Sequence, residues 1–221
     1  MNRFPSLPYV LPFAVFLLLL WVGPRLPLDA RSESLLRVAI LAALLVVFSR
    51  GVVSFRWLRP LSSIAVGVGV FLLWIAPDLL SAQWHQHWLF ANPLTGKVEG
   101  SLSPEARADG VVLALRAARA VVLVPIIEEI FWRGWLVRWI DDPEDFRRIP
   151  LGGMSRLAFW VTAILFASEH GPLWDVGLAA GILYNMWMQR TRSLGDLILA
   201  HAVTNACLSA YVVFGGKWNY W

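Results

Sequence analysis

Cysteine is nearly absent from this chain, and charge is scarce. Cys207 is the single cysteine among 221 residues, so no intrachain disulfide can form. Its place in an apolar run with small neighbours suits a packing role. Asp, Glu, Lys and Arg make up 15% of the chain, against about 25% in an ordinary globular protein. There is no internal repeat, which removes the usual sign of a repeat-built transporter. There is no low-complexity tract and no polar stretch long enough for a second, soluble domain. The His-Glu-x-x-His spacing of helical zinc peptidases is missing too.

What the chain has in excess is apolar surface. It is 58% hydrophobic, with a mean hydropathy of +0.61, where globular proteins hold about 45–50% apolar residues. Crossing a bilayer takes about 20 mostly apolar residues. Such stretches fall at about 7–23, 35–54, 61–80, 110–139, 155–170, 173–190 and 194–214. The expected fold is all-α: a polytopic membrane bundle of about seven (six to eight) transmembrane helices. It would be one integral-membrane domain over 1–221, with a motif-bearing core at about 110–214. Residues 9–22 could mimic a signal peptide, but Pro8, Pro12 and Pro24 and the lack of a small-residue cleavage site favour a retained span. Gly67 and Gly69 in the third span would permit close helix approach.

The thirteen tryptophans include Trp21, Trp57, Trp84, Trp88, Trp218 and Trp221 near segment ends, the positions of interfacial belts. The net charge of +4 comes mostly from arginine in short loops. Arg50, Arg56 and Arg59 lie in one loop, Arg138, Arg147, Arg148 and Arg156 in another, Arg190 and Arg192 in a third. The positive-inside rule then puts the N-terminus inside and the C-terminus outside, in a cell (inner) membrane. A basic balance of this kind calls for a lipid bilayer rather than a nucleic acid. Oligomeric state is not readable. In the long 81–109 connection, His85-x-His87 could bind a metal, but the flanking Trp84 and Trp88 favour a bilayer-surface segment.

Several polar patches interrupt the apolar spans. Glu128-Glu129 is followed by Arg133, Phe166 by Glu169-His170, and His201 by Asn205, with Arg116 and Arg119 upstream. A charge at bilayer depth costs roughly 2.5–3.5 kcal/mol even on the mildest scale, so each needs a function. Residues four apart share a helix face, so Glu129 can pair with Arg133. Glu128, rotated by about 100°, cannot use the same partner equally well. One glutamate is neutralised and the other is left for a cavity, where it suits a general base. His170 stands four residues after Phe166, with Gly171-Pro172 ending the helix behind it. His201 and Asn205 share a face and could donate hydrogen bonds to one oxygen.

The ordered set EExxxR, FxxxH and HxxxN, each on its own apolar helix, resembles the CPBP intramembrane glutamic endopeptidases. These are the CAAX-protease and bacteriocin-processing (ABI) proteins, a family that includes the Ras-converting CAAX endopeptidase. The resemblance covers about 130–205. It implies a helical membrane bundle with its site in a cavity, and hydrolysis of a peptide bond in a membrane-tethered peptide or protein without a covalent intermediate. Carried over, Glu128 and His170 would activate a water, and His201 and Asn205 would stabilise the oxyanion. Glu129, Arg133 and Phe166 would support them. No cofactor is implied. Glutamate with two histidines could ligate zinc as a His₂Glu set, the metal-dependent alternative. Two further readings stay open: a proton-coupled transporter using buried Glu and His residues, and a non-catalytic immunity or binding protein on the same scaffold. Glu169 is not required by the motif. Arg116 and Arg119 either snorkel or meet a carboxylate at a substrate's end.

Overall fold

Polar residues decide where the helices begin. In the computed structural model, which describes residues 4–221, α1 runs Leu7–Arg25 and α2 runs Ala30–Ser49. Then come α3 (Pro60–Leu80), the short α4 (Pro104–Ala108), α5 (Gly110–Asp141), α6 (Arg156–Ser168), α7 (Trp174–Thr191) and α8 (Leu194–Gly215). Asp29, Asp109, Ser155 and Ser193 sit just before α2, α5, α6 and α8, and each side chain accepts a backbone N–H that the first turn leaves free. Among the described residues there is no β-strand. The second helix starts at Ala30 rather than near 35, because the Asp29 cap begins it on a polar turn before the apolar run. It stops at Ser49, whose hydroxyl donates to the Pro8 carbonyl at 2.6 Å.

Five helices are long and apolar enough to cross a membrane: α1, α2, α3, α5 and α8. The other two long helices depart from the simple picture of seven full spans. α6 has 13 residues, which reach only about 20 Å at 1.5 Å per residue, short of a hydrocarbon core of about 30 Å. It stops at Ser168, and Glu169 and His170 turn the chain into Gly171–Leu173 before α7 starts. The chain is therefore broken at the position that the Gly-Pro pair marked.

α3 and α8 form the most extensive helix pair. Gly67 makes the close approach possible, since a Cβ there would stand 2.3 Å from the Ala200 carbonyl oxygen. Gly69 faces open space and has no such role. α6 and α7 pack as a hairpin, and α1 lies on α5 through stacked Phe13 and Phe131. The 81–109 connection is pinned by a buried imidazole. His85 is 1% exposed. Its Nδ1 lies 2.8 Å from Asp78 Oδ2 at the end of α3, and its Nε2 2.9 Å from Asp175 Oδ1 at the start of α7. Trp84 Nε1 donates to Asp175 at 3.0 Å, and the Tyr220 hydroxyl donates to Asp78 at 2.6 Å. His85 is thus an internal clamp, neither paired with His87 nor spread on a bilayer surface.

Burial alone pushes the His85 imidazolium down, but hydrogen bonds to Asp175 and Asp78 outweigh it and the folded value rises. A raised folded value stabilises fully below the unfolded histidine value, about 6.5. The contribution is lost as pH climbs through the folded value. The detergent-purified protein should therefore lose thermal stability as pH rises above neutral, and His85→Gln should flatten that dependence. Equal slopes for the two proteins in a melting series over pH would contradict the clamp.

Candidate active site

Two irregular turns shape α5, which carries the paired glutamates. Arg119–Leu123 and Trp132–Leu136 are π-helical, and such widened turns are common at functional sites. The first has a covalent cause. Pro125 has no N–H, and the Val124 N–H bonds back to the Arg119 carbonyl. The Ala120 carbonyl is left without a backbone donor, and Asn205 Nδ2 on α8 supplies one at 2.8 Å. A proline on one helix thereby fixes the side-chain amide of another.

The second widened turn carries Arg133 into the protein interior. Arg133 and Glu129 are both fully buried. Nη1 of Arg133 donates to the two Glu129 oxygens at 3.2 and 3.1 Å. Nε donates to Asn185 Oδ1 at 2.8 Å and Nη2 to the Gly181 carbonyl at 3.2 Å, both on α7. Asn185 in turn donates to Phe159 O and Thr162 Oγ1 on α6. The rings of Phe166 and Tyr184 lie 4.7 and 5.6 Å from the guanidinium carbon. Glu129 also meets α8, because its Oε1 is 2.8 Å from His201 Nδ1. One ion pair thus fastens four helices.

Glu128 points elsewhere. It lines a cavity of about 310 Å³ with Glu169, His170, His201 and Asn205. Trp74, Phe166 and Tyr184 add apolar walls. Its Oε2 stands 4.0 Å from His201 Nε2. His170 Nδ1–H donates to the Phe166 carbonyl at 2.8 Å. A carbonyl can only accept, so Nδ1 carries a proton, and in the neutral ring Nε2 keeps a lone pair. The imidazole lies over Gly177, where an added Cβ would come within 3.0 Å of Nδ1. The Tyr184 ring stacks on His201 at 5.0 Å, and its hydroxyl donates to Thr204.

The break after α6 explains how a residue at a helix end reaches one in the middle of α5. α6 is short, and the chain after it brings His170 to the wall of the cavity that Glu128 lines. Tyr184, Asn185 and Thr204 also belong to the assembly, and sequence reasoning missed them. Tyr184 and Asn185 are adjacent polar residues inside an apolar helix, a signal of the same kind as Glu128-Glu129. Asn205 commits one N–H to Ala120, leaving one for a ligand. Among the described residues, no three His, Cys, Asp or Glu side chains stand close enough to hold a metal ion.

A scan against family models matches residues 110–207 to the family described as type II CAAX prenyl endopeptidase Rce1-like. No curated protein and no solved structure matches.

The Glu129–Arg133 pair should dominate stability. Removing one member of a buried pair typically costs about 3–5 kcal/mol, because the other charge stays uncompensated. Glu129→Ala and Arg133→Ala should each show a loss of that size in detergent unfolding, and the double variant less than the sum. Strict additivity in the double-mutant cycle would refute the coupling.

Proposed function

We propose, from the match of residues 110–207 to the type II CAAX prenyl endopeptidase Rce1-like family, that the chain is an intramembrane endopeptidase using a water activated by Glu128 and His170. Its substrate would be a membrane-tethered peptide or protein, with a prenylated C-terminal segment as the family-level model. The bilayer would be the cell membrane, with the N-terminus inside. The observation that carries the reading is the convergence of Glu128, His170, His201 and Asn205, from three chain segments, on one cavity.

The hydrogen bonds suggest how the steps divide. His170 offers a lone pair at Nε2 and Glu128 a carboxylate, so a water between them has two acceptors for its protons. The water oxygen attacks the scissile carbonyl carbon as its proton passes to Glu128. The carbonyl oxygen becomes an oxyanion, which accepts from the free N–H of Asn205 and from His201. That second bond sets a condition. His201 Nδ1 is occupied by the Glu129 carboxylate, so only the imidazolium carries a proton on Nε2 as well. As the tetrahedral state collapses, Glu128 gives its proton to the departing nitrogen and the C–N bond breaks. The new acid gives its remaining water proton to His170 Nε2, so the products are a carboxylate and a free amine.

Glu128→Gln keeps the shape of the side chain and removes the base. It should lower the cleavage rate of a membrane-tethered peptide by at least about 10²–10⁴-fold, with unchanged melting in detergent. Near-full turnover by that variant would sink the assignment.

Cleavage should also survive exhaustive EDTA treatment, since no step above uses a metal. Loss on chelation with recovery on adding zinc would replace this scheme by the metal-dependent one.

A further inference from the structure

A second cavity, of about 370 Å³, lies between α1, α2, α5 and residues 101–106. Three arginines line it: Arg37 of α2, and Arg116 and Arg119 of α5. Glu33 is the one acidic residue on its wall, and it pairs with Arg37 one turn away. Three guanidiniums against one carboxylate leave two positive charges uncompensated in a partly apolar space. Arg37 is 9% exposed, and its Nε is buried without a partner. Arg116 Nη2 donates to Ser101 Oγ at 2.7 Å and the guanidinium sits 5.2 Å from the Trp221 ring. Snorkelling does not account for this arrangement. Snorkelling arginines diverge toward water, whereas these three converge on one cavity from two helices.

From this convergence we propose that the cavity is a phosphate-binding site that takes the headgroup of an anionic phospholipid. Guanidinium forks match phosphate oxygens, and a phosphate accepts from more donors at once than a carboxylate does. The hydroxyls of Ser34 and Ser101 line the same space. Depth fits as well. α5 has 32 residues, about 48 Å of helix, against a hydrocarbon core of about 30 Å. The excess of about 18 Å is enough to carry its first turns, from Gly110 past Arg116 and Arg119, into the headgroup layer. The rim includes Leu20 and Leu28, both exposed on the outer surface, where acyl chains would run. A peptide in the catalytic cavity is walled off by Trp221, which lines that cavity and whose carbonyl accepts from the Ser101 N–H at 2.8 Å.

Purified protein in phosphate-free buffer would be melted in nanodiscs of phosphatidylcholine, of phosphatidylcholine with phosphatidylglycerol, and of phosphatidylcholine with added inorganic phosphate. Phosphatidylglycerol should raise the wild-type midpoint by about 3 °C or more, and Arg119→Gln, which leaves the buried Arg37 in place, should lose most of that rise. A matching rise with inorganic phosphate, also lost in Arg119→Gln, supports the same phosphate chemistry. A rise with inorganic phosphate alone assigns the site to free phosphate and overturns the lipid source. Equal rises in wild type and variant, or none, overturn the site. A peptide with a free C-terminus is the competing occupant. Wild type would then cleave that peptide faster than its amidated twin, Arg119→Gln would cleave both alike, and lipid would have no effect; that pattern overturns the phosphate assignment.

Discussion

Everything at the centre of this bundle depends on the buried carboxylate of Glu129. It accepts two bonds from Arg133 and lies against His201, so α5 and α8 are joined through one acid. Arg133 extends the connection to α7 through Asn185 and Gly181, and Asn185 extends it to α6. A lone ion at this depth would be prohibitive, but here every oxygen and nearly every N–H finds a partner, which is the condition under which a buried pair is tolerated. The consequence for Glu128 is positional. Because its neighbour has taken the arginine, Glu128 is left facing the cavity with a histidine nearby and no arginine of its own.

Departures from regular helix place the remaining groups. Pro125 strips a donor from the first widened turn of α5, and the orphaned Ala120 carbonyl holds Asn205 at the cavity wall. The Gly171-Pro172 break ends α6 early and leaves His170 on the cavity that Glu128 lines. Glycines at 67 and 177 supply the close contacts that bring α8 to α3 and seat the His170 ring. Two of the three widened turns among the described residues, and the break after α6, thus lie where chemistry-bearing side chains must be aimed.

Much of this was legible in the residues. Apolar runs of bilayer length gave the order of the long helices, and the i,i+4 spacing of Glu129 and Arg133 gave their pairing. The separation of Glu128 from Glu129 by a turn of 100° anticipated that only one faces the cavity. Other features were not legible, for physical reasons. The start of α2 lay under polar residues that hydropathy skips, although Asp29 is a recognisable cap. The shortness of α6 shows only when a break is weighed against helix rise. His85 looked interfacial because Asp175 is ninety residues away, and Asp78, seven residues back at the end of α3, meets it only once the connection folds against that helix. Asn205 sharing its amide with Ala120 follows from a proline eighty residues away, a relation no local pattern encodes.

The central claim is that water, rather than a protein side chain, attacks the scissile carbonyl. A single turnover with enzyme in excess, run in water labelled with heavy oxygen, tests it most directly. Mass spectrometry of the products and of the Glu128 peptide would locate the label. Direct attack predicts label in the new carboxylate of the product after that first turnover, with Glu128 unlabelled. Label appearing in Glu128, with an unlabelled product, would mean that the glutamate had attacked the carbonyl itself and would contradict the account.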